Sequence, residues 1–204
     1  LIEATSGNTG IAFAMLAAER GYRMKIVMPS NMSEERKQML KFYGADLIQV
    51  EPGDFDGAIS TRDALAESFG WFNCNQFHNP LNTKAHYETT GPEIDAQFRK
   101  DNPHENEWQE AFVVGTGTGG TMMGAGVYLK ERTPGIKLIA VEPAESAVMS
   151  GCEPGLHGIQ GIGDGSKFLV DMKKIDGVIA VPTECAKAVA RHLAKNYGLF
   201  VGIS

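Results

Sequence analysis

The chemistry suggested by this sequence centres on a glycine-rich stretch between an apolar run and a helical pattern. Residues 115–120 comprise four glycines and two threonines, and they follow the apolar run Glu110–Val114, which predicts a buried strand. From Thr121 to Lys130, small and apolar residues recur at helical spacing. Glycines let backbone N–H groups converge, and the N-terminus of the following helix adds a positive dipole. The stretch therefore predicts a phosphate-binding loop; the alternative is a tight strand-to-helix turn without a ligand.

A second polar loop occupies the same kind of position near the start of the chain. Thr5, Ser6, Asn8 and Thr9 follow an apolar strand pattern and precede an alanine-rich helical pattern that extends to about Arg20. Hydroxyl and amide groups beside the free N–H groups of a helix N-terminus suit a carboxylate or a cofactor oxygen. The alternative is a plain helix cap, for which a single serine or threonine is enough.

Three further features are candidates for binding. Gln76 lies in the polar stretch 75–80 at the end of a predicted short strand, and it could hydrogen-bond a substrate carboxylate or be an ordinary loop residue. The segment Pro143–Asp176 is predicted to be long and irregular, with glycines repeated through residues 158–165. Long loops in compact domains are usually functional, although a mobile surface loop has the same composition. His157 in this loop is the one histidine retained as a candidate.

Strand patterns alternate with helical patterns along the chain. The predicted strands are Leu1–Ala4, Lys25–Met28, Asp46–Val50, Trp71–Asn73, Glu110–Val114, Lys137–Glu142 and Val178–Val181. The predicted helices run from Gly10 to about Arg20, from Ser33 to Gly44, from Asp54 to Phe69, from Asn82 to about Lys100 with an interruption at Gly91-Pro92, from Thr121 to Lys130 and from Thr183 to about Asn196, with Ser33 and Thr183 as caps. This alternation predicts parallel sheets with helices on both faces, in which ligands bind at the carboxyl ends of strands. The domains are predicted as 1–79 and 80–204, divided by a polar, proline-containing loop.

Composition and charge exclude several classes of partner. The net charge of the 204 residues is −6, with no basic cluster, so no nucleic-acid partner is expected. No apolar run reaches membrane-spanning length, so no membrane partner is expected either. The three cysteines are widely spaced and suit reduced cytoplasmic thiols, and no metal-ligand spacing is present. Because the chain begins inside a strand pattern and stops after an apolar run, we expect it to be the middle of a longer protein.

The glycine-rich stretch also fits a dinucleotide-binding fingerprint. Gly115, Gly117 and Gly120 satisfy GxGxxG, and Glu142, 22 residues beyond Gly120, stands where a ribose-binding acid would lie. An NAD-dependent oxidoreductase is therefore a rival hypothesis. The second polar loop at residues 5–10 counts against it, because a dehydrogenase does not need that loop. The hydroxyls of Thr116, Thr118 and Thr121 also suit a terminal phosphate monoester.

Taken together, the motifs resemble cysteine synthase. This is the O-acetylserine sulfhydrylase branch of the fold-type II pyridoxal-phosphate enzymes, and cystathionine β-synthase is a close relative. The motifs that resemble it are residues 5–10 (TSGNTG), 28–29 (MP), 32–36 (MSEER), 44–45 (GA), 76–80 (QFHNP), 86–94 (HYETTGPEI), 117–121 (GTGGT), 160–163 (QGIG) and 202–204 (GIS). The resemblance implies an α/β protein with two doubly wound, mostly parallel sheets, here truncated at both ends.

The resemblance also implies roles for individual residues. It assigns the cofactor phosphate to Gly117, Thr118, Gly119, Gly120 and Thr121, the ring hydroxyl oxygen to Asn8, and the pyridine nitrogen to Ser204. It assigns the amino-acid carboxylate to Thr5, Ser6, Thr9 and Gln76, and it places Gly161 in a loop that faces the substrate. The lysine that forms the Schiff base with the cofactor would lie upstream of Leu1, so no catalytic residue is expected within this chain.

The implied function is the pyridoxal 5'-phosphate-dependent synthesis of L-cysteine from O-acetylserine and sulfide. Within the family, the alternatives are cystathionine β-synthase and an O-phosphoserine-using sulfhydrylase. Outside it, they are the NAD-dependent oxidoreductase and a non-catalytic fragment, since the lysine is absent. The resemblance further implies a cytoplasmic homodimer with serine acetyltransferase as a partner, and an isolated fragment that is inactive.

Overall fold

The computed structural model describes residues 1–5, 7–102 and 111–204, and it divides into two compact units. The first unit is Leu1–Gln76 and the second is Phe77–Ser204. Ser6 and the first residue of the predicted strand at Glu110 lie outside the described residues. Within the described ranges, no helix is both long and apolar enough to cross a membrane. The assignment of 1–79 and 80–204 to two domains of the complete protein stays a prediction.

The first unit is a three-stranded parallel sheet with helices between its strands. Its elements are β1 (Ile2–Ala4), α1 (Asn8–Glu19), β2 (Lys25–Pro29), α2 (Glu34–Phe42), β3 (Asp46–Val50) and α3 (Phe55–Phe69). The strands are ordered β1-β2-β3, and Ile26 of the central strand pairs with Glu3 and Leu47. Asp54 caps α3 by accepting a hydrogen bond from the backbone N–H of Gly57, at 2.8 Å.

Helices cover both faces of this first sheet. Ile26 and Met28 belong to a core cluster with Ala14 of α1 and Leu40 of α2. Val27, between them, belongs to a second cluster with β1 and with residues of α3. Because successive side chains of a strand point to opposite faces, the two clusters lie on opposite sides of the sheet. The predicted α/β architecture is therefore confirmed here.

The second unit contains another parallel sheet and two interrupted helical runs. The first run is α4 (Pro80–Ala85), a π-helical turn (His86–Thr90) and α5 (Gly91–Asp101). The second run follows β4 (Ala111–Gly115) and consists of a π-helical turn (Met122–Gly126) and α6 (Val127–Arg132). The remaining elements are β5 (Lys137–Pro143), a 3₁₀ turn (Ala144–Ser146), β6 (Gly177–Val181) and α7 (Thr183–Tyr197). The strand order is β4-β5-β6, with all pairs parallel.

The core of the second unit lies on one face of its sheet. Leu138 and Ala140 of β5 are fully buried together with Met122 and Leu129 of the second helical run. On the strands beside β5, Val113 and Ile179 are 56% and 50% exposed. The packed face is the one that carries the second helical run, so it sets the position of the glycine-rich stretch.

Two sequence-based assignments were wrong in detail. Trp71–Asn73 is not a strand: it makes only an isolated bridge from Asn73 to Ile2, because the chain turns at Asn75, whose φ is 50°. Thr183 does not cap α7. The cap position is Pro182, and the Thr183 hydroxyl accepts a hydrogen bond from the backbone N–H of Gly158, at 2.9 Å.

Candidate active site

The glycine-rich stretch runs from the carboxyl end of β4 to the start of the second helical run. Thr116 anchors it: its N–H donates to the Val141 carbonyl (2.9 Å) and its carbonyl accepts from the N–H of Gly163 (3.1 Å). The Thr116 hydroxyl donates to the Val114 carbonyl at 3.0 Å, and the residue is 4% exposed. The expectation that this hydroxyl serves a phosphate is therefore wrong, because its proton is already used.

The next residues form a cradle of backbone N–H groups, residues 117–121. Within residues 1–5, 7–102 and 111–204, the N–H groups of Gly117, Thr118 and Gly119 meet no hydrogen-bond acceptor. Gly119 has a φ of +87°, a conformation that favours glycine, and a Cβ there would lie 2.6 Å from Val170 Cγ2. A Cβ on Gly117 would lie 2.8 Å from the Gly161 carbonyl oxygen. The cradle therefore presents three unused donors, and two of its positions, Gly117 and Gly119, have no room for a Cβ.

The two remaining threonines of the cradle are linked to the first helical run. Asn82 Nδ2 donates to Thr118 Oγ1 at 3.1 Å. His86 Nε2 lies 3.4 Å from Thr121 Oγ1. Sequence reasoning did not identify Asn82 or His86 as site residues, because their partners lie 36 and 35 residues further along the chain.

The predicted glycine loop between β5 and β6 packs against the cradle. Gly161 has a φ of +98° and is exposed, and its carbonyl oxygen approaches Gly117. His157 is part of the loop framework, because Nε2 contacts the Gly163 carbonyl (3.1 Å) and Nδ1 accepts from the N–H of Ile159 (3.2 Å). Both ring nitrogens are therefore engaged within the loop, which argues for a structural role.

Asp164 is a carboxyl group at this site that sequence reasoning missed. Its Oδ2 lies 3.7 Å from the position that a Cβ on Gly117 would take. Burial raises the pKa of Asp164 above its usual value, because it disfavours the charged carboxylate. The spacing of residues in the sequence did not indicate that the Asp164 carboxyl lies beside the cradle formed by residues 117–121.

Glu142 holds the loop and is not a ligand-binding acid. It is fully buried, and its two carboxylate oxygens accept from the N–H groups of Met149 (2.8 Å) and Ser150 (2.9 Å) and from the Ser150 hydroxyl (2.6 Å). A ribose-binding acid must face the nucleotide, so this geometry removes the support that Glu142 lent to the dinucleotide hypothesis.

In the first unit, the second polar loop runs from β1 to α1. Thr5 is 3% exposed, its N–H donates to the Val27 carbonyl (3.0 Å), and its hydroxyl oxygen accepts from the N–H of Gly7 (3.2 Å). Among the residues that the structure describes, none accepts the Thr5 hydroxyl proton, which leaves it for a ligand. Asn8 and Thr9 form the first turn of α1, where Asn8 is exposed and Thr9 is half-buried. Ser6 lies outside the described residues.

Gln76 is held beside this loop by a buried charged network. Its N–H donates to Glu3 Oε2 (2.9 Å), and its side-chain Nε2 donates to the Ala4 carbonyl (2.9 Å). Glu3 Oε1 in turn accepts from Arg62 (2.9 Å), and both charged side chains are at most 1% exposed. Sequence reasoning did not identify this pair, because 59 residues separate its members.

Ser204 is exposed at the end of the irregular segment that follows α7. Its assignment to the pyridine nitrogen stays a prediction.

Comparison with known proteins identifies the family of this chain. The family described as "Pyridoxal-phosphate dependent enzyme" matches residues 1–204. The chain belongs to this family.

Several similar proteins are cysteine synthases. A cysteine synthase from Staphylococcus aureus is 42% identical over 209 residues, which cover 100% of this chain and 64% of that protein. The crystal structure of a cysteine synthase from Entamoeba histolytica matches with 42% identity and a TM-score of 0.87, covering 99% of this chain and 59% of that one. An O-acetylserine-dependent cystathionine β-synthase from Helicobacter pylori matches with 38% identity and a TM-score of 0.84, covering 99% of this chain and 64% of that one.

Pyridoxal 5'-phosphate is the cofactor of this family, as expected from the sequence. The chain spans about 64% of the length of the curated relatives it matches. The cradle fits the phosphate of this cofactor, because it offers N–H groups that meet no acceptor among the described residues, and because a Cβ at Gly117 or Gly119 would clash with the neighbouring loop. The NAD-dependent hypothesis is therefore wrong: the family match replaces it, and the buried position of Glu142 agrees with that correction.

Proposed function

We propose that the protein containing this chain makes L-cysteine from O-acetylserine and sulfide by pyridoxal 5'-phosphate-dependent β-replacement. The observation that supports it most directly is the 42% identity to cysteine synthase along the whole chain. The cofactor, when bound, supplies an electron sink that allows a β-substituent to leave. The residues of this chain bind and orient the cofactor and the substrate.

The cradle residues hold the cofactor phosphate in this proposal. The N–H groups of Gly117, Thr118 and Gly119 donate to the phosphate oxygens, and the hydroxyls of Thr118 and Thr121 add to them. Gly120 admits the close approach of the neighbouring helix, since a Cβ there would lie 2.0 Å from Asn82 Oδ1. Ser204 contacts the pyridine nitrogen as a neutral group.

The loop of the first unit binds the substrate carboxylate. Thr5 is suited to this role because its oxygen already accepts from Gly7, which leaves its proton to donate. Ser6, Thr9 and Gln76 complete the carboxylate site, and Asn8 contacts the ring hydroxyl oxygen of the cofactor. Gly161 lies in the loop that faces the substrate, where its φ of +98° favours glycine.

The phosphate assignment is tested with Gly119→Asp in the full-length protein. A side chain at Gly119 collides with Val170 and forces the cradle to move, and its carboxylate adds a negative charge close to the phosphate, so the visible absorbance of the bound cofactor should be strongly reduced. Gly135→Ala is the matched control, because a Cβ on Gly135 meets nothing within 4 Å. An unchanged cofactor spectrum in Gly119→Asp would reject the assignment.

The carboxylate assignment is tested with Thr5→Val, which keeps the side-chain shape and removes the hydroxyl. Loss of a charge-assisted hydrogen bond of about 1.5–3 kcal/mol should lower kcat/KM for O-acetylserine about 10- to 100-fold. The resting cofactor spectrum should survive, and Thr5→Ser should restore activity. If Thr5→Val lowers the affinities for cofactor and substrate equally, the assignment of Thr5 to the substrate carboxylate is wrong.

Cystathionine synthesis is the second candidate function, favoured by the similarity to the Helicobacter pylori enzyme. The two functions differ in the nucleophile that adds to the substrate, sulfide or homocysteine. Assays with O-acetylserine, O-phosphoserine and serine against both nucleophiles separate them, and the highest kcat/KM identifies the reaction. A preference for homocysteine would replace cysteine synthesis as the conclusion.

We further propose that the full-length protein is a cytoplasmic homodimer and that it binds serine acetyltransferase. Light scattering measures the oligomeric state, and co-purification tests the binding of serine acetyltransferase. The resemblance implies that the lysine that binds the cofactor precedes Leu1. Residues 1–204 alone should therefore make no cysteine, and borohydride should fix no cofactor to a unique lysine. Turnover together with one reduced adduct would contradict this.

A further inference from the structure

The cradle is built where the two helical runs of the second unit approach very closely. Gly120 and Gly124, four residues apart, lie on one face of the second run. A Cβ on Gly120 would lie 2.0 Å from Asn82 Oδ1, and a Cβ on Gly124 would lie 2.5 Å from His86 Cβ and 2.4 Å from the Thr83 carbonyl. Asn82 and His86 are also four residues apart, so they lie on one face of the first run.

Both helical runs widen into a π-helical turn in this region. His86–Thr90 contacts Met122–Gly126, and each turn interrupts an otherwise α-helical run. π-helical turns inside α-helices are rare and occur frequently at functional sites. The two helical runs therefore share an unusual local geometry in the region where Asn82 and His86 contact the threonines of the cradle.

The hydrogen bonds of Thr118 fix the direction of its hydroxyl group. Its Oγ1 accepts from Asn82 Nδ2 at 3.1 Å and from the backbone N–H of Gly120 at 3.3 Å. A hydroxyl oxygen has two lone pairs, and both are now used. The remaining capability of Thr118 is to donate its proton, which is what an anion in the cradle requires.

His86 makes the corresponding contact with Thr121. Nδ1 lies 2.9 Å from Thr90 Oγ1, and Nε2 lies 3.4 Å from Thr121 Oγ1. When Nε2 carries the proton, it donates to Thr121 and leaves the threonine proton for a ligand, while Nδ1 accepts from Thr90. Burial lowers the pKa of His86, which favours the neutral ring that this arrangement needs.

We propose that Asn82 and His86 are positioning residues, which orient the hydroxyls of Thr118 and Thr121 as donors toward the cofactor phosphate. The inference rests on the proposed function, because it takes the cradle as the phosphate site. Neither residue contacts the phosphate in this scheme; each acts through one threonine.

The test compares pyridoxal 5'-phosphate with pyridoxal, which lacks the phosphate, on the full-length apoprotein. Asn82→Asp is isosteric and removes the donor to Thr118, and Asn82→Ala removes the side chain. Each should weaken pyridoxal 5'-phosphate binding by at least about 2- to 10-fold, the effect of one hydrogen bond, and leave pyridoxal affinity unchanged. The ³¹P chemical shift of the bound cofactor should also move.

Three further variants complete the experiment. Combining Asn82→Ala with Thr118→Val should weaken binding no more than Thr118→Val alone, because Asn82 acts through Thr118. His86→Gln, which keeps a donor near the Nε2 position, should retain affinity that His86→Leu loses. Lys84→Ala is the matched control on α4, since Lys84 is 62% exposed in an ion pair with Glu88.

The outcomes separate this inference from the proposed function. An unchanged cofactor spectrum in Gly119→Asp would contradict the phosphate cradle itself, whereas unchanged affinity in Thr118→Val alone would show that this hydroxyl does not serve the phosphate and would overturn the inference. Weakened binding in Thr118→Val with unchanged binding in both Asn82 variants would overturn the inference alone. Equal weakening of pyridoxal and pyridoxal 5'-phosphate by the uncharged Asn82→Ala would show a structural role and would also overturn it, whereas Asn82→Asp also adds a negative charge near the phosphate.

Discussion

Residues of one type have different uses in the glycine-rich stretch, and their partners decide which. The Thr116 hydroxyl donates its proton to the Val114 carbonyl. The Thr118 hydroxyl oxygen instead accepts two hydrogen bonds, which leaves its proton to be donated to a ligand. The same distinction separates Glu142, whose oxygens bind three loop donors, from Asp164, whose carboxyl lies near Gly117. The groups that can bind a ligand at this site are therefore the donors and acceptors that internal hydrogen bonds leave unused.

Asp164 carries a pH-dependent prediction. Its pKa is raised by burial, so its charged form is disfavoured in the folded protein. Below its unfolded pKa, near 3.8, the residue is protonated in both states and has no effect. As pH rises, the unfolded state ionises first, so stability falls until the raised folded pKa is reached, and this loss remains at every higher pH. Asp164→Asn should therefore raise Tm at neutral pH, and this gain should vanish near pH 3.

Thermal unfolding of both proteins between pH 3 and pH 8 checks this prediction. Asp54→Asn is the matched control, because Asp54 is an exposed helix cap and asparagine serves equally well there. A gain for Asp164→Asn that persists at pH 3, or a loss at pH 7, would contradict the assignment of a raised pKa.

Among the elements, the helical runs of the second unit depend on small residues where they meet. Gly126 packs against Leu138 of β5, with a Cβ position 3.3 Å from Leu138 Cδ2, and Gly124 packs against the first run. Alanine is normally the better helix former by about 1 kcal/mol. Glycine at these positions therefore reflects the close approach of neighbouring backbone and not helix propensity.

Gly124→Ala should destabilise the protein in spite of that propensity. The added methyl group meets the Thr83 carbonyl at 2.4 Å and the backbone nitrogen of Tyr87 at 2.8 Å, so one helix must move. Overpacking of this kind costs about 1–3 kcal/mol. Urea denaturation measures it, with Gly135→Ala, which opens onto free space, as the control. A stabilised Gly124→Ala would show that the two runs separate easily.

At the scale of the whole molecule, buried charges connect parts of the first unit that are far apart in sequence. Arg62 of α3 pairs with Glu3 of β1 and also with Asp63, which accepts from Asn73 at 2.8 Å. Burial raises the pKa of Glu3, although the hydrogen bonds from Gln76, Arg62 and Ala4 oppose that shift. The network ties β1, α3 and the segment before Gln76 together beneath the polar loop.

Arg62→Met should cost several kcal/mol, since it leaves the Glu3 carboxylate buried without its cation. Removing one partner of a buried pair typically costs about 3–5 kcal/mol, and replacing both costs less. The Arg62→Met, Glu3→Gln double variant should therefore be more stable than Arg62→Met alone in urea unfolding. Arg20→Ala is the control, because its pair with Glu19 is 68% exposed on both sides. Equal stability of Arg62→Met and wild type would contradict the role of the network.

The sequence by itself determined the local features of this protein. Alternating strand and helix patterns predicted the parallel sheets, and the glycines at 117, 119 and 120 predicted an anion cradle, because both depend on neighbouring residues. Tertiary structure decided which side chains remain available. Asn82 reaches Thr118 across 36 residues, and Arg62 reaches Glu3 across 59. Such pairings follow from how helices pack on sheets, and short-range spacing does not encode them.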